Sequence, residues 1–281
     1  MLANLNDVLG RARKEHYGVG LFNATDSDAL EAVIAAAEEL RAPVIIGTAE
    51  VLLPYGELQL IAPGMLHAAK RASVPVVLHY DHGLTFDKCM EALSLGFSSV
   101  MFDGSAYPYE ENLAATREMV KICHSLGVTV EGEIGHVGLA ATEDNAAEDR
   151  YTTTDEAKEF YEATGVDALA IAIGTAHGAY KSKPKLDLER LKAIRDTIDV
   201  PLVLHGGSGL SDDDFRNTIR DGISKVNIHT DLCIAGVEAM KAGLAEGLEY
   251  LPLRNKKVEA IKNAVKEKML LFGCDGKADL K

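Results

Sequence analysis

Three histidines stand just beyond short apolar runs that are far apart in the chain: His82 after VPVVLHYD, His177 after ALAIAIGTA and His205 at the end of VPLVL. Three neutral imidazoles with a fourth position left open are what a catalytic zinc ion needs. A lone histidine at a strand end is more often a hydrogen-bonded structural residue. Three at one level, each followed by a glycine, favour a metal site. Asp81 adjoins His82, so its carboxylate would project near the same ion and exchange a proton with an oxygen bound opposite it. The plainer alternative is that Asp81 caps the following turn. His79 shares the side-chain parity of Asp81 and reads as a satisfied core histidine one layer deeper.

A second set of residues suits an anion. Gly206-Gly207-Ser208-Gly209 lets the backbone approach a ligand closely, and Asn227-Ile228-His229-Thr230-Asp231 leads into a helix start. Amide groups and helix dipoles at such turns hold phosphate. Gly178 and Lys181, in AHGAYK, add an amide and a positive charge, although Lys181 fits an exposed loop equally well.

These residues need a scaffold that gathers distant strand ends at one mouth. Eight apolar, β-branched runs alternate with helical spacing: YGVGLFNA, APVIIG, VPVVLHY, SSVMFDG, GVTVEGEIG, DALAIAIG, VPLVLHGG and GISKVNI. Their near-continuous apolarity suits parallel strands covered on both sides. Helix starts are marked by Asp26-Ser27, Thr85, Ser211 and Asp231, and a last helix is expected over about 255–271. Eight strand–helix pairs in a chain of 281 residues predict a (β/α)₈ TIM barrel. A single domain over 1–281 is expected, with a C-terminal helical extension over about 250–281. A doubly wound open sheet is the structural rival, but GVGLFNATD is a poor nucleotide-binding turn. Residues 135–154, after the fifth run, are long and poor in apolar periodicity; both a mobile lid over the mouth and a solvated insertion fit them.

Composition narrows the class. Apolar residues make up 47% of the chain, yet no run of eighteen apolar residues is present, so no transmembrane helix is expected. The start is a poor signal peptide, and Cys89, Cys123, Cys233 and Cys274 form no Cys-x-x-Cys pair, as expected of reduced cytoplasmic thiols. A net charge of −14 disfavours nucleic acid and acidic membrane surfaces as partners, while a local pocket still admits a small anionic substrate.

The motifs VPVVLHYDHG, SLGFSSVMFDGS, GVTVEGEIG, GVDALAIAIGTAHGAYK, PLVLHGGSGL and SKVNIHTDL closely resemble, in order, the class II fructose-bisphosphate and tagatose-bisphosphate aldolases. The closing VKEKMLLFGCDGKA is similar to that family's C-terminal helix, so the likeness spans most of the chain. It implies that His82, His177 and His205 hold Zn²⁺, with Glu133 near the metal. It implies that Asp81 is the acid/base at the aldehyde oxygen, and that a lid glutamate, here Glu143, moves the proton on the enediolate carbon. Gly178, Gly206, Ser208, Asn227 and Thr230 would hold dihydroxyacetone phosphate, with Gly207 in the same turn and Arg254 at the position nearest the family's arginine. A monovalent cation (Na⁺ or K⁺) near the phosphate, a phosphorylated sugar substrate and a homo-oligomer, a dimer or larger, are also implied.

The sequence departs from the family in three places. Gly138 is followed by Leu139-Ala140-Ala141-Thr142 before Glu143-Asp144, an altered and lengthened lid. GTAEVLLPYG after the second run is unlike the usual substrate-contacting sequence, and Arg254 follows YLPL instead of Asp-Pro. All three bear on the distal end of the ketose, so another phosphorylated ketose or a deoxy-sugar acid competes with fructose and tagatose 1,6-bisphosphate. A metal hydrolase lacks its His-x-His pair on the first strand. A Schiff-base aldolase finds only Lys225, near the start of its strand. A non-catalytic phosphate binder is the remaining alternative.

Overall fold

The structure, a computed structural model, describes residues 1–135, 137, 151–178 and 184–279. The chain opens with β1 (Leu2–Ala3), α1 (Leu5–Glu15), β2 (Val19–Asn23), α2 (Ser27–Leu40) and β3 (Val44–Ala49). A 3₁₀ turn over Glu50–Tyr55 leads to α3 (Leu58–Arg71), β4 (Val76–Gly83), α4 (Phe86–Ser94) and β5 (Ser99–Phe102). Then come α5 (Tyr109–Ser125), β6 (Thr129–Ile134), α6 (Thr154–Thr164), β7 (Ala168–Ile171) and α7 (Leu188–Thr197). The last elements are β8 (Leu202–Leu204), α8 (Asp212–Asp221), β9 (Ile223–Ile228), α9 (Thr230–Ala245) and α10 (Tyr250–Phe272).

β2 to β9 form the expected (β/α)₈ barrel. Their order runs β4-β3-β2-β9-β8-β7-β6-β5, every pairing is parallel, and a β4–β5 pairing closes the ring. Six of them fall inside the expected apolar runs, while β3 and β4 begin inside theirs and continue two and three residues beyond, to Ala49 and Gly83. The two-residue β1, beside β4, is an addition that the sequence did not announce. α1 is a further addition. It buries Leu5, Val8, Leu9 and Ala12, and packs on β2, β6 and β9, so it plugs the end of the barrel where the strands begin.

Local signals explain most helix ends. Asp26 accepts from Ala29 N at the head of α2, and Ser211 with Asp214 forms a reciprocal capping box on α8. Thr85 does not cap α4 with its own side chain. Its hydroxyl donates to Glu50 Oε1, while Glu50 Oε2 accepts from Leu84 N and Thr85 N. α10 begins five residues before the expected Asn255, because Pro252 lies in its first turn, where no intrahelical donor is needed.

The expectation of strands apolar on both faces needs one correction. Helix-facing positions are apolar, as in Leu78 and Tyr80, or Val226 and Ile228, and all are buried. The barrel-facing positions alternate with them as polar residues: His79 and Asp81 on β4, Glu131 and Glu133 on β6, Lys225 and Asn227 on β9. Each is at most 8% exposed, so the upper interior is a buried polar core that must satisfy itself.

Candidate active site

A cavity of about 330 Å³ opens where the strands end. Asp81, His82, His177, Gly178, Gly206, Gly207, Ser208, Asn227 and Thr230 line it, so nine of the expected site residues meet at one mouth. Possible ligand atoms of His82, His177 and His205 lie within 4.8 Å of one another. Their ring centroids are 4.5 Å (82–205), 4.9 Å (82–177) and 5.8 Å (177–205) apart.

The hydrogen bonds behind these rings select which nitrogen faces inward. His82 Nδ1 donates to Asp103 Oδ2 at 2.6 Å, and His205 Nε2 donates to Glu131 Oε1 at 2.8 Å. The remaining nitrogens, His82 Nε2 and His205 Nδ1, face each other at 2.7 Å. Two lone pairs at that distance repel unless a proton or a cation lies between them. Burial alone would lower the His82 pKa, but the Asp81 and Asp103 carboxylates outweigh it and push it up to about 10. Burial, with His82 beside it, pushes His177 down to about 3, and His205 is lowered for the same reasons. The pocket therefore favours positive charge at His82 and neutral rings at His177 and His205. A carboxylate on the far nitrogen of a ligating histidine is a recurrent feature of metal sites. The donor set fits a metal ion.

Asp81 and Glu133 behave differently. Asp81 Oδ1 accepts from Asn227 Nδ2 at 2.9 Å and Oδ2 from Asn23 Nδ2 at 3.0 Å. Burial would raise its pKa, but His82, Lys225 and His205 hold it well below the usual carboxylate range. Burial, with Asp103 nearby, pushes Glu133 up to about 8. Glu133 Oε2 is 3.8 Å from His205 Nδ1, and Glu133 forms a second possible ligand group with His82 and Asp103. His79 is fully buried one layer down, with Nδ1 2.7 Å from Ser99 Oγ and burial, then Lys225, taking its pKa to about 3. It is only partly satisfied, since Nε2 has no hydrogen-bond partner.

The anion end is built from two turns and a helix start. Ser208 Oγ accepts from His229 N at 3.3 Å and from Asp231 N at 3.4 Å, which docks the β8 turn on the head of α9. Gly206 has φ +66°, and a Cβ there would meet Ala176 O at 2.3 Å, so only glycine lets this turn pass the β7 end.

Two expected residues, Glu143 and Lys181, lie outside the described residues. Arg254 lies outside the cavity lining. Its Nε is 2.8 Å from Asp28 Oδ1 and its Nη2 pairs with Glu31, which clasps α10 to α2. Asn23, Asp103, Ser105 and Glu131 were missed. Asp103 and Asn23 at strand ends, and Glu131 two residues before Glu133, were signals of the same kind as those used. Val51, Leu52 and Leu84 also line the cavity; the first two belong to the GTAEVLLPYG segment that departs from the family sequence, and no sequence signal marked Leu84.

The family model for class-II fructose-bisphosphate aldolase matches residues 3–277. A 6-phospho-5-dehydro-2-deoxy-D-gluconate aldolase of Shouchella clausii is 40% identical over 96% of this chain and 94% of its own length. A fructose-bisphosphate aldolase of Staphylococcus aureus is 37% identical over 99% of both. The crystal structure of the YdjI aldolase from Escherichia coli K12 superposes with a TM-score of 0.91 at 40% identity, covering 99% of this chain and 100% of that one.

Proposed function

The chain belongs to the class-II fructose-bisphosphate aldolase family, and from that premise we propose that it cleaves a phosphorylated ketose reversibly into dihydroxyacetone phosphate and an aldehyde. Aldolases of this family are metal-dependent. The observation that carries the reading is the pair of inward nitrogens on His82 and His205, each backed by a carboxylate on its far side. His82, His177 and His205 would hold Zn²⁺, with Glu133 in reach of the same ring nitrogens. A bound zinc ion supplies Lewis acidity that polarises the ketose carbonyl without a covalent lysine.

The chain's own residues do the rest. Asp81, held ionised by its neighbours, accepts the proton of the C4 hydroxyl as the carbon–carbon bond breaks, and returns it in the joining direction. Asn23 and Asn227 fix both its oxygens, so it meets the substrate in one orientation. Gly178, Gly206, Gly207, Ser208, Asn227 and Thr230 seat the phosphate with amides and a helix start, helped by a monovalent cation (Na⁺ or K⁺) as in the family. Glu143 keeps the role of moving the proton on carbon from the family likeness.

Fructose and tagatose 1,6-bisphosphates are one pair of candidate substrates. A specific observation favours a second reading, a deoxy-sugar acid or other ketose: Val51, Leu52 and Leu84 give the cavity an apolar wall. Such a wall suits a methylene better than a hydroxyl. A homo-oligomer is part of the proposal, since Ile234, Val237, Met240 and Leu244 form an exposed apolar stripe along α9. So is a cytoplasmic location; among the described residues no helix is long and apolar enough to cross a membrane.

The test is retro-aldol cleavage of fructose 1,6-bisphosphate, tagatose 1,6-bisphosphate and 6-phospho-5-dehydro-2-deoxygluconate, before and after EDTA and with zinc returned. Activity lost to EDTA and recovered with zinc is expected, and the preferred sugar assigns the aldehyde. Cleavage that persists after complete metal removal refutes the three-histidine mechanism.

A further inference from the structure

Lys225 is fully buried in the barrel interior, a costly place for an ammonium group unless every donor is used. Its Nζ lies 2.7 Å from Glu131 Oε2 and donates to Asn227 Oδ1 at 2.8 Å. Each contact is the first link of a chain that ends on a site residue. Glu131 Oε1 accepts from His205 Nε2 at 2.8 Å, which leaves His205 Nδ1 as the inward nitrogen. Asn227, its oxygen held by a cation, must turn Nδ2 outward, where it donates to Asp81 Oδ1 at 2.9 Å. The strand position that is wrong for a nucleophilic lysine is right for this task, because the four-carbon stem carries the charge up one layer.

We propose that Lys225 is a positioning residue that sets the ring tautomer of His205 through Glu131 and the amide orientation of Asn227 against Asp81, so that metal ligand and acid/base are aligned by one buried charge. The inference rests on the reading that His82, His177 and His205 hold the metal. A lysine suits both branches, since it has donors only and no acceptor that would tolerate a flipped amide. A purely apolar residue would fill the same space and leave both partners free to turn.

The experiment compares the full-length protein with Lys225→Met, Lys225→Arg, Glu131→Gln and the double variant Glu131→Gln/Lys225→Met. Zinc affinity is read without substrate, by competition with a chromophoric chelator, and circular dichroism reports folding. Lys225→Met is expected to weaken zinc by roughly 10- to 100-fold, the size seen when support behind a metal ligand is lost. In zinc-saturated protein it lowers kcat far more than it raises KM, and Lys225→Arg recovers part of both. The double variant, which leaves no unpaired buried charge, keeps the test open if Lys225→Met fails to fold. It should bind zinc as weakly as Glu131→Gln alone, yet show the further loss in kcat that comes through Asn227. Zinc affinity and kcat within twofold of the parent protein in a folded variant lacking Lys225 overturn the proposal. A parent protein that binds no zinc at all overturns the three-histidine reading first, and this inference with it.

Discussion

Asp81 and His82 are adjacent in the chain, yet both side chains line the same cavity, which regular strand alternation forbids. The backbone resolves the conflict at His82, whose φ of +42° lies in the left-handed region. The β4–β5 register slips between Tyr80 and Gly83 at the same place. A bulge of this kind re-aims a side chain at the rim of a barrel, and the strain of a left-handed histidine is of order 1 kcal/mol. His82 is held there by its bond to Asp103.

Gly83 makes that turn possible. A Cβ at this position would meet Cys89 Sγ at 2.4 Å and Met101 O at 2.7 Å. Gly83→Ala is therefore expected to cost about 1–3 kcal/mol through overpacking and to displace His82. Urea denaturation and zinc titration of the purified variant measure the two effects. A variant with parental midpoint and parental zinc affinity would show that the bulge tolerates a side chain.

Asp81→Asn preserves shape and loses the proton acceptor. The expected result is a kcat lower by roughly 10²- to 10⁴-fold with zinc content unchanged, because Asp81 is held by two asparagines and is not one of the three histidine ligands. Steady-state kinetics together with metal analysis decide it. Loss of zinc along with activity would instead place Asp81 among the ligands.

Asp103→Asn tests the support behind His82. The amide is the same size, but its neutral oxygen is a weaker acceptor for His82 Nδ1–H than the carboxylate 2.6 Å away. Zinc affinity is expected to fall about 10- to 100-fold while the barrel stays folded. Equal affinities for parent and variant would show that His82 keeps its tautomer unaided.

The barrel and the mouth were legible because both follow from periodicity. Eight apolar runs between helical stretches specify the ring, and strand-end residues such as His82, His177 and Gly206 are then neighbours by topology alone. Thr85 reads as a helix start and is one, but the carboxylate that serves it is Glu50, from another strand end. The contact of Lys225 with Glu131 was hidden for a related reason. Both residues stand in plain view in TVEGEI and ISKVNI, but their pairing joins strands far apart in sequence, and an ion pair across the barrel becomes visible only once β6 and β9 are brought together. Arg254 was placed by likeness of sequence position, and helix packing gives it carboxylate partners on α2 instead.

Arg254 yields a prediction that separates these roles. With Asp28 and Glu31 as its partners, Arg254→Ala should lower the melting temperature by loosening α10 from α2, while KM for the cleaved ketose stays within about twofold. Differential scanning calorimetry and steady-state kinetics on one preparation suffice. A large rise in KM at unchanged melting temperature would return Arg254 to the substrate.

The exposed stripe on α9 carries the last expectation. Ile234, Val237, Met240 and Leu244 are 52%, 48%, 39% and 62% exposed, at the three- and four-residue spacing that puts side chains on one helix face. Contiguous apolar surface on a soluble protein marks an interface more often than chance exposure does. A stripe on one helix, repeated in an identical copy, suits a self-complementary contact about a twofold axis. Val237→Asp and Met240→Glu together place charge in the centre of that face without touching the barrel core. Sedimentation equilibrium of the parent should show a species larger than the 30.2 kDa chain, and the double variant should shift to the single-chain mass with its circular dichroism unchanged. A parent that sediments as one chain at high micromolar concentration, or a variant whose association is unaltered, would detach this stripe from self-assembly.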